Sequence, residues 1–408
     1  MPQRPSRIGA GTWPWAVPIA LSVLAFAIVA GRSAASGLGL DYAHDAGPAI
    51  AALAQGDLAR FAHEQALMGS LSLLLRAPFA ALAPGSVDAQ YALGVLPCFA
   101  IVLLVALALR REAERRWGRT PHAGLIVVFS LLSAPALEAI VYGHPEEPLG
   151  AALIVGAVLA ALRRHGLLAG LLLGLALGTK QWAAFAVLPV LLACGGFRVR
   201  ALAAAAITAL GLTAVQALAN LERFTGMQDQ AVSGAPYGTP LSIWAPFSTV
   251  DATGGWGGFA VRLLQPDVAV QLGKPLLGAW ALGLVLVFAH RRGPREDVFA
   301  LLALVFLGRC LFDPSNVYYH APFLAALLAW EALRSPRPPW LTATSTAVLA
   351  LIALSTRVGP HDPHLISAVY LAWALGTVAT LGLLTVVPAR QLRRLPFGRT
   401  GAAAAADL

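Results

Sequence analysis

The sequence predicts an all-α protein that crosses a membrane about twelve times. Three observations carry this. First, the 408 residues are 58% apolar and only 12% charged, against about 25% charged in a soluble globule, and the mean hydropathy is +0.71. Second, apolar stretches recur along the chain, most of them near the roughly 20 residues that a spanning helix needs. Third, the charges sort. With the N-terminus inside and sides alternating, 20 of the 29 Lys and Arg fall in cytoplasmic loops, and 14 of the 20 Asp and Glu fall on the other face with six of the nine His. Arg-rich loops stay inside during insertion, so both termini are expected in the cytoplasm. The net charge of +9 is then a topology bias and predicts no nucleic-acid partner. Ala, Arg and Gly richness points to a bacterial cytoplasmic membrane, with multi-pass insertion.

The elements follow in order. Trp13 to Gly31, after Arg4 and Arg7, is expected to be a retained first helix; a signal peptide is the alternative. Ala89 to Leu109 returns to Arg110-Arg111 and Arg115-Arg116. His122 to Tyr142 goes out, and Pro148 to Leu162 comes back to Arg163-Arg164. Gly166 to Gly178 and Trp182 to Cys194, split by Thr179-Lys180-Gln181, form a hairpin of two short arms, like the broken helices that line polar cavities. Ala201 to Ala219 leads to a long outer loop, 220–273. The remaining spans are Pro275 to His290, Val298 to Phe312, Ala321 to Trp330, Leu341 to Thr356 and Leu365 to Val387. In the first outer loop, Leu67 to Leu82 is interrupted by Arg76, and it is expected to lie at the interface with Arg76 turned to water or headgroups. One membrane domain covers residues 1–400, and the low-complexity tail 401–408 is expected to be disordered. Cys98, Cys194 and Cys310 sit in apolar runs and give neither a disulfide framework nor zinc spacing.

Chemistry is expected on the outer face, where the titratable groups gather. Asp41-Tyr42-Ala43-His44-Asp45 combines two carboxylates and an imidazole, as a general base and its orienting partner would; a helix-capping loop is the plain alternative. His144-Pro145-Glu146-Glu147 packs three titratable groups into a minimal turn. They suit a divalent metal or sugar hydroxyls. Lys180, beside Gln181 and Trp182, is a lone cation among apolar helices, and it either meets a phosphate or snorkels to the interface. Arg309, Asp313, Asn316, Tyr319 and His320 crowd one helix end. Trp244, Trp256 and the Gly residues of the long loop suit carbohydrate stacking or a folded loop. His361, Asp362 and His364 form a weaker group.

This order of residues resembles the GT-C superfamily of integral-membrane glycosyltransferases, and most nearly the family-87, polyprenyl-phosphate-sugar-dependent mannosyltransferase type. The resemblance rests on Asp41 ahead of Gly56, and on the Gly170, Gly174, Gly178 helix that ends at Lys180 before a second short helix with Pro189. It spans roughly residues 13 to 330. Two features depart from the family pattern. Leu75-Arg76-Ala77-Pro78 stands where the family carries Tyr-Pro-Pro, and His144-Pro145-Glu146-Glu147 replaces a Gly-Gln-Asn type of turn. The resemblance implies a polyprenyl-phosphate sugar donor and a glycolipid or glycan acceptor at the outer leaflet. It implies Asp41 as the base with Asp45 second, and Lys180, Arg309 and His320 at the donor phosphate. Sugar or acceptor would be held by His44, His144, Glu146, Glu147, Gln181, Trp182, Asp313, Asn316 and Tyr319. No cofactor and no metal are expected. A transporter or flippase of lipid-linked sugars, and a non-catalytic protein of the same shape, remain as alternatives.

Overall fold

In the computed structural model the described residues are 20, 40–66, 68–232, 237–251, 262–291, 293–313, 315–355 and 362–386. The first expected span (Ala20 apart), Trp256, His361 and the tail 401–408 lie outside them. Among these residues the chain is helical apart from one small sheet, and the boundaries follow the apolar runs. Four short helices precede the first long one: α1 Leu40–His44, α2 Ala46–Ala54, α3 Leu58–His63 and α4 Ser70–Ala80. Next come α5 Val87–Trp117, α6 Ala123–Leu132, α7 Ala134–Tyr142, α8 Glu146–Leu162 and α9 Gly166–Leu177. A 3-10 segment Gln181–Ala186 leads into α10 Val187–Cys194, and α11 Arg198–Ala219 follows. α12 Leu221–Val232 and the strands β1 Tyr237–Gly238, β2 Thr249–Asp251 and β3 Arg262–Leu264 precede α13 Asp267–His290. α14 Val298–Phe312, α15 Ala321–Arg334, α16 Trp340–Ser355 and α17 Pro363–Val386 complete the described bundle.

Among the described residues five helical segments are long and apolar enough to cross a membrane, α5 and α13 among them. α5 has 31 residues and is about 46 Å long at 1.5 Å per residue. It outruns a hydrocarbon core of about 30 Å, so its Arg110 to Arg116 end projects. α8 and α14 are apolar on every side and almost wholly buried, as a helix without a polar face must be. They form the centre. α11 and α13 are the opposite: Val199, Ile207, Leu210, Leu218, Leu282 and Leu286 are exposed on them. So much exposed apolar surface suits contact with lipid.

α9 shows how sequence sets packing. Gly166, Gly170, Gly174 and Gly178 recur every fourth residue, so they share one face. A Cβ built at Gly170 would lie 2.1 Å from the Ala201 carbonyl oxygen, and one at Gly174 would lie 2.6 Å from Thr208 Cβ. The glycine row therefore lets the backbones of α9 and α11 approach closely.

Two expectations change. Arg76 on α4 is 0% exposed; α4 turns it inward against α5, not to water. The reason is local: its guanidinium lies over the Tyr42 and Tyr91 rings, with Gly94 of α5 beside it. The segment 220–273 is also less loop-like than expected. α12 opens it, α13 begins at Asp267, and the three strands form an antiparallel sheet in the order β1-β3-β2. Strands of two or three residues are too short to show a period in the sequence.

The glycine row gives a direct test. Gly170→Ala is expected to destabilise the protein by about 1–3 kcal/mol through overpacking, lowering the unfolding temperature in detergent. Gly211→Ala, where nothing lies within 4 Å of the added Cβ, should leave it unchanged or slightly raised. Equal effects would overturn the close-packing account.

Candidate active site

The site begins where α8 begins. Glu146 and Glu147 occupy the first turn of α8, after the Pro145 N-cap, where the helix dipole favours negative charge. Both are 0% exposed. Buried carboxylates need partners, and four other segments bring them.

The first is the turn just before α8. Gly143 ends α7 in a left-handed conformation, φ +88, and its missing side chain lets Tyr42 pack on it; a Cβ there would lie 3.0 Å from the Tyr42 nitrogen. This brings α1 against the turn. His144 Nε2 then lies 3.1 Å from Asp41 Oδ2, and His144 Nδ1 lies 2.8 Å from Glu146 Oε1. Ionised carboxylates only accept hydrogen bonds, so both contacts are made together only when both ring nitrogens carry protons. Burial by itself would push the imidazole down, but the Glu146 carboxylate outweighs it and His144 is raised to about 9.

The second is the break between α9 and α10. Lys180 is extended, φ −159 and ψ 145, which stops the helix and points the residue into the site. Its ammonium donates to Glu146 Oε1 at 2.9 Å and lies 3.5 Å from Glu147 Oε1. Burial favours its neutral form, yet the two glutamates hold it above the usual lysine range. The break is pinned from α4, whose Gly69 and Leu71 amides donate to the Thr179 and Gly178 carbonyls.

The third is the end of α14, where Arg309 Nη1 reaches Glu147 Oε2 at 3.4 Å. Its guanidinium lies 5.2 Å from the Trp182 ring and 4.6 Å from the Tyr319 ring. The fourth is the 3-10 turn Val317–His320, whose Tyr318 ring stacks on His144 at 4.8 Å. The result is one alternating row of charge: Asp41, His144, Glu146, Lys180, Glu147, Arg309. Asp41, its side chain 49% exposed, is the open end; the other five side chains are 14% exposed or less.

Of the residues singled out from the sequence, the structure brings these six together with Trp182 and Tyr319. Asp45 stands at the N-cap of α2, four residues after Asp41, and its amide donates to the Asp41 carbonyl. His44 and Gln181 are exposed. Asp313 is half-buried at the C-cap of α14. Buried Asn316 donates from Nδ2 to the Tyr318 hydroxyl. His320 is 0% exposed with both ring nitrogens engaged, Nδ1 by the Asn316 and Val317 carbonyls and Nε2 by the Tyr370 hydroxyl. It sits outside the charge row. The structure adds Tyr318, which belongs to the same 309–320 stretch of sequence, and Tyr91, in sequence an ordinary span residue, whose hydroxyl donates to the Ile140 carbonyl. Among the described residues, no group of three or more His, Cys, Asp or Glu side chains is placed to hold a metal ion.

An apolar helical bundle with a row of titratable groups at the helix ends is a membrane-type protein with one built polar site. Residues 69–314, more than half of the chain, match the profile of glycosyltransferase family 87. The chain belongs to this family and is a glycosyltransferase. No curated protein matches it.

The His144 bridge has a pH signature. Its pKa is raised above the unfolded value of about 6.5, so its stabilisation is fully present below that pH and is lost as pH rises through about 9. The unfolding-temperature difference between wild type and His144→Gln should be constant at low pH and shrink through about pH 9. A difference that does not change with pH would sink the bridge.

Proposed function

We propose that this glycosyltransferase moves a sugar, mannose or another hexose or pentose, from a polyprenyl-phosphate donor to a glycolipid or glycan acceptor. The reaction takes place at the outer face of a bacterial cytoplasmic membrane and inverts the anomeric centre. The observation that carries the reading is Asp41: a half-exposed carboxylate, backed by an imidazole that Glu146 holds from behind. The acceptor hydroxyl attacks the anomeric carbon and gives its proton to Asp41. The bond from that carbon to the phosphate oxygen breaks, and polyprenyl phosphate leaves with the electron pair. His144 orients Asp41.

Lys180 and Arg309 supply positive charge for the leaving phosphate. Their pairing with the glutamates leaves donors free, since an ammonium has three N–H groups and a guanidinium five. Trp182 and Tyr319 offer aromatic faces beside them, and Asp313 and Asn316 sit at the same rim. Asp45 is the second choice of base, and no cofactor or metal takes part. About twelve spans with both termini inside put this end of the bundle outside. There α4 lies at the interface with Leu74 and Phe79 exposed, Leu82 exposed just beyond its end, and Arg76 inward.

The test is transfer by the full-length protein in lipid, with radiolabelled polyprenyl-phosphate mannose and a membrane glycolipid extract. Asp41→Asn should lower turnover about 10²–10⁴-fold, the usual worth of a general base, and Asp45→Asn far less. Wild-type turnover by Asp41→Asn would remove Asp41 from the role.

A further inference from the structure

Arg76 is the unusual cation of this molecule. Its side chain is 0% exposed, and among the described residues none of its three guanidinium nitrogens has a hydrogen-bond partner. It lies 4.9 Å from the Tyr42 ring centroid and 5.9 Å from that of Tyr91, and the two rings are 4.9 Å apart. Cation–π contact returns only part of what burying an unpaired charge takes away. A wholly buried arginine held on those terms is more than packing.

Its neighbours say what it does. Tyr42 follows Asp41 in the chain. Besides Arg76, Tyr42 is gripped at Gly143, as described, and at Gly47, where a Cβ would lie 2.7 Å from the Tyr42 carbonyl oxygen. α1 has five residues, too few to be stable by itself, so this grip is what sets the direction of Asp41. The charge of Arg76 reaches the row as well. The titratable groups that act with it are Tyr42 from α1, Tyr91 and Cys98 from α5, and Glu146 from α8, whose ionised form it favours. Glu146 is the carboxylate behind His144. With His144 protonated, the three carboxylates and three cations of the row balance, and Arg76 adds one further positive charge beneath them.

We propose that Arg76 is a positioning residue of the transfer site: through Tyr42 it holds the Asp41 turn against His144. The proposal rests on the reading of Asp41 as base, and it deepens that reading.

Arg76→Met keeps the length and apolar stem of the side chain and removes the charge, while Arg76→Lys keeps the charge. In the transfer assay in lipid, Arg76→Met should lose about tenfold or more in kcat, as a misdirected reactive group does, with KM for the donor unchanged. A drift of the Asp41 carboxylate away from His144 Nε2 takes away a hydrogen bond that favours the imidazolium, so the alkaline limb of the kcat profile should move to lower pH. Arg76→Lys should keep the limb in its wild-type position and recover part of kcat. A merely structural role predicts that Met rescues and that the limb does not move; that result overturns the proposal. Should Arg76→Met fail to fold, Arg76→Lys decides: a limb displaced from the wild-type position overturns it. The His144 imidazole is also titrated directly by NMR in the labelled protein, without substrate. A lower midpoint in Arg76→Met than in wild type supports the proposal even if no polyprenyl-phosphate sugar is turned over, which would count against the transfer reading alone. Identical midpoints overturn it.

Discussion

Two carboxylates with no access to water, at the start of an otherwise apolar helix, are the constraint around which this protein is arranged. Glu146 and Glu147 cannot remain ionised there without cations within a few ångströms, because desolvation of an unpaired charge is severe. The bundle meets that demand with its irregular places. α7 stops at a left-handed Gly143 so that His144 can turn back. α9 stops at an extended Lys180. α14 places Arg309 in its last turn. Where regular helix gives way, a charged side chain enters the same small volume.

This arrangement suits transfer of a charged leaving group. Side chains held on helix ends, packed against aromatic rings and tied by hydrogen bonds, need little rearrangement when charge develops, and in a dry site their fields act strongly. The exposure gradient gives the row a direction. Five members are largely buried, and Asp41 alone is half-exposed to solvent.

The glycines complete the logic. The row on α9 brings α11 close and so settles where the Lys180 break lies. Gly143 and Gly47 do the same for Tyr42, and through it for Asp41. Small residues at close backbone approach stand in for the apolar driving force that lipid does not supply between helices.

The helical class, most of the described helices and four of the polar clusters were legible in the sequence by itself, because lipid demands long apolar runs and makes polar groups among them conspicuous. Membership of a glycosyltransferase family was legible too, in the order of Asp41, Gly170 to Lys180 and Pro189. Tertiary structure alone decided the rest. Asp41 and His144 stand 103 residues apart, and Glu147 and Arg309 162 apart; no local pattern says that they touch. Gly143 could be read as a turn residue but not as the seat of Tyr42. Arg76 looked interfacial because a lone cation in an apolar run favours water. Only the packing of α1, α4 and α5 supplied two aromatic rings to receive it, and that contact between distant segments, not propensity, placed it inside.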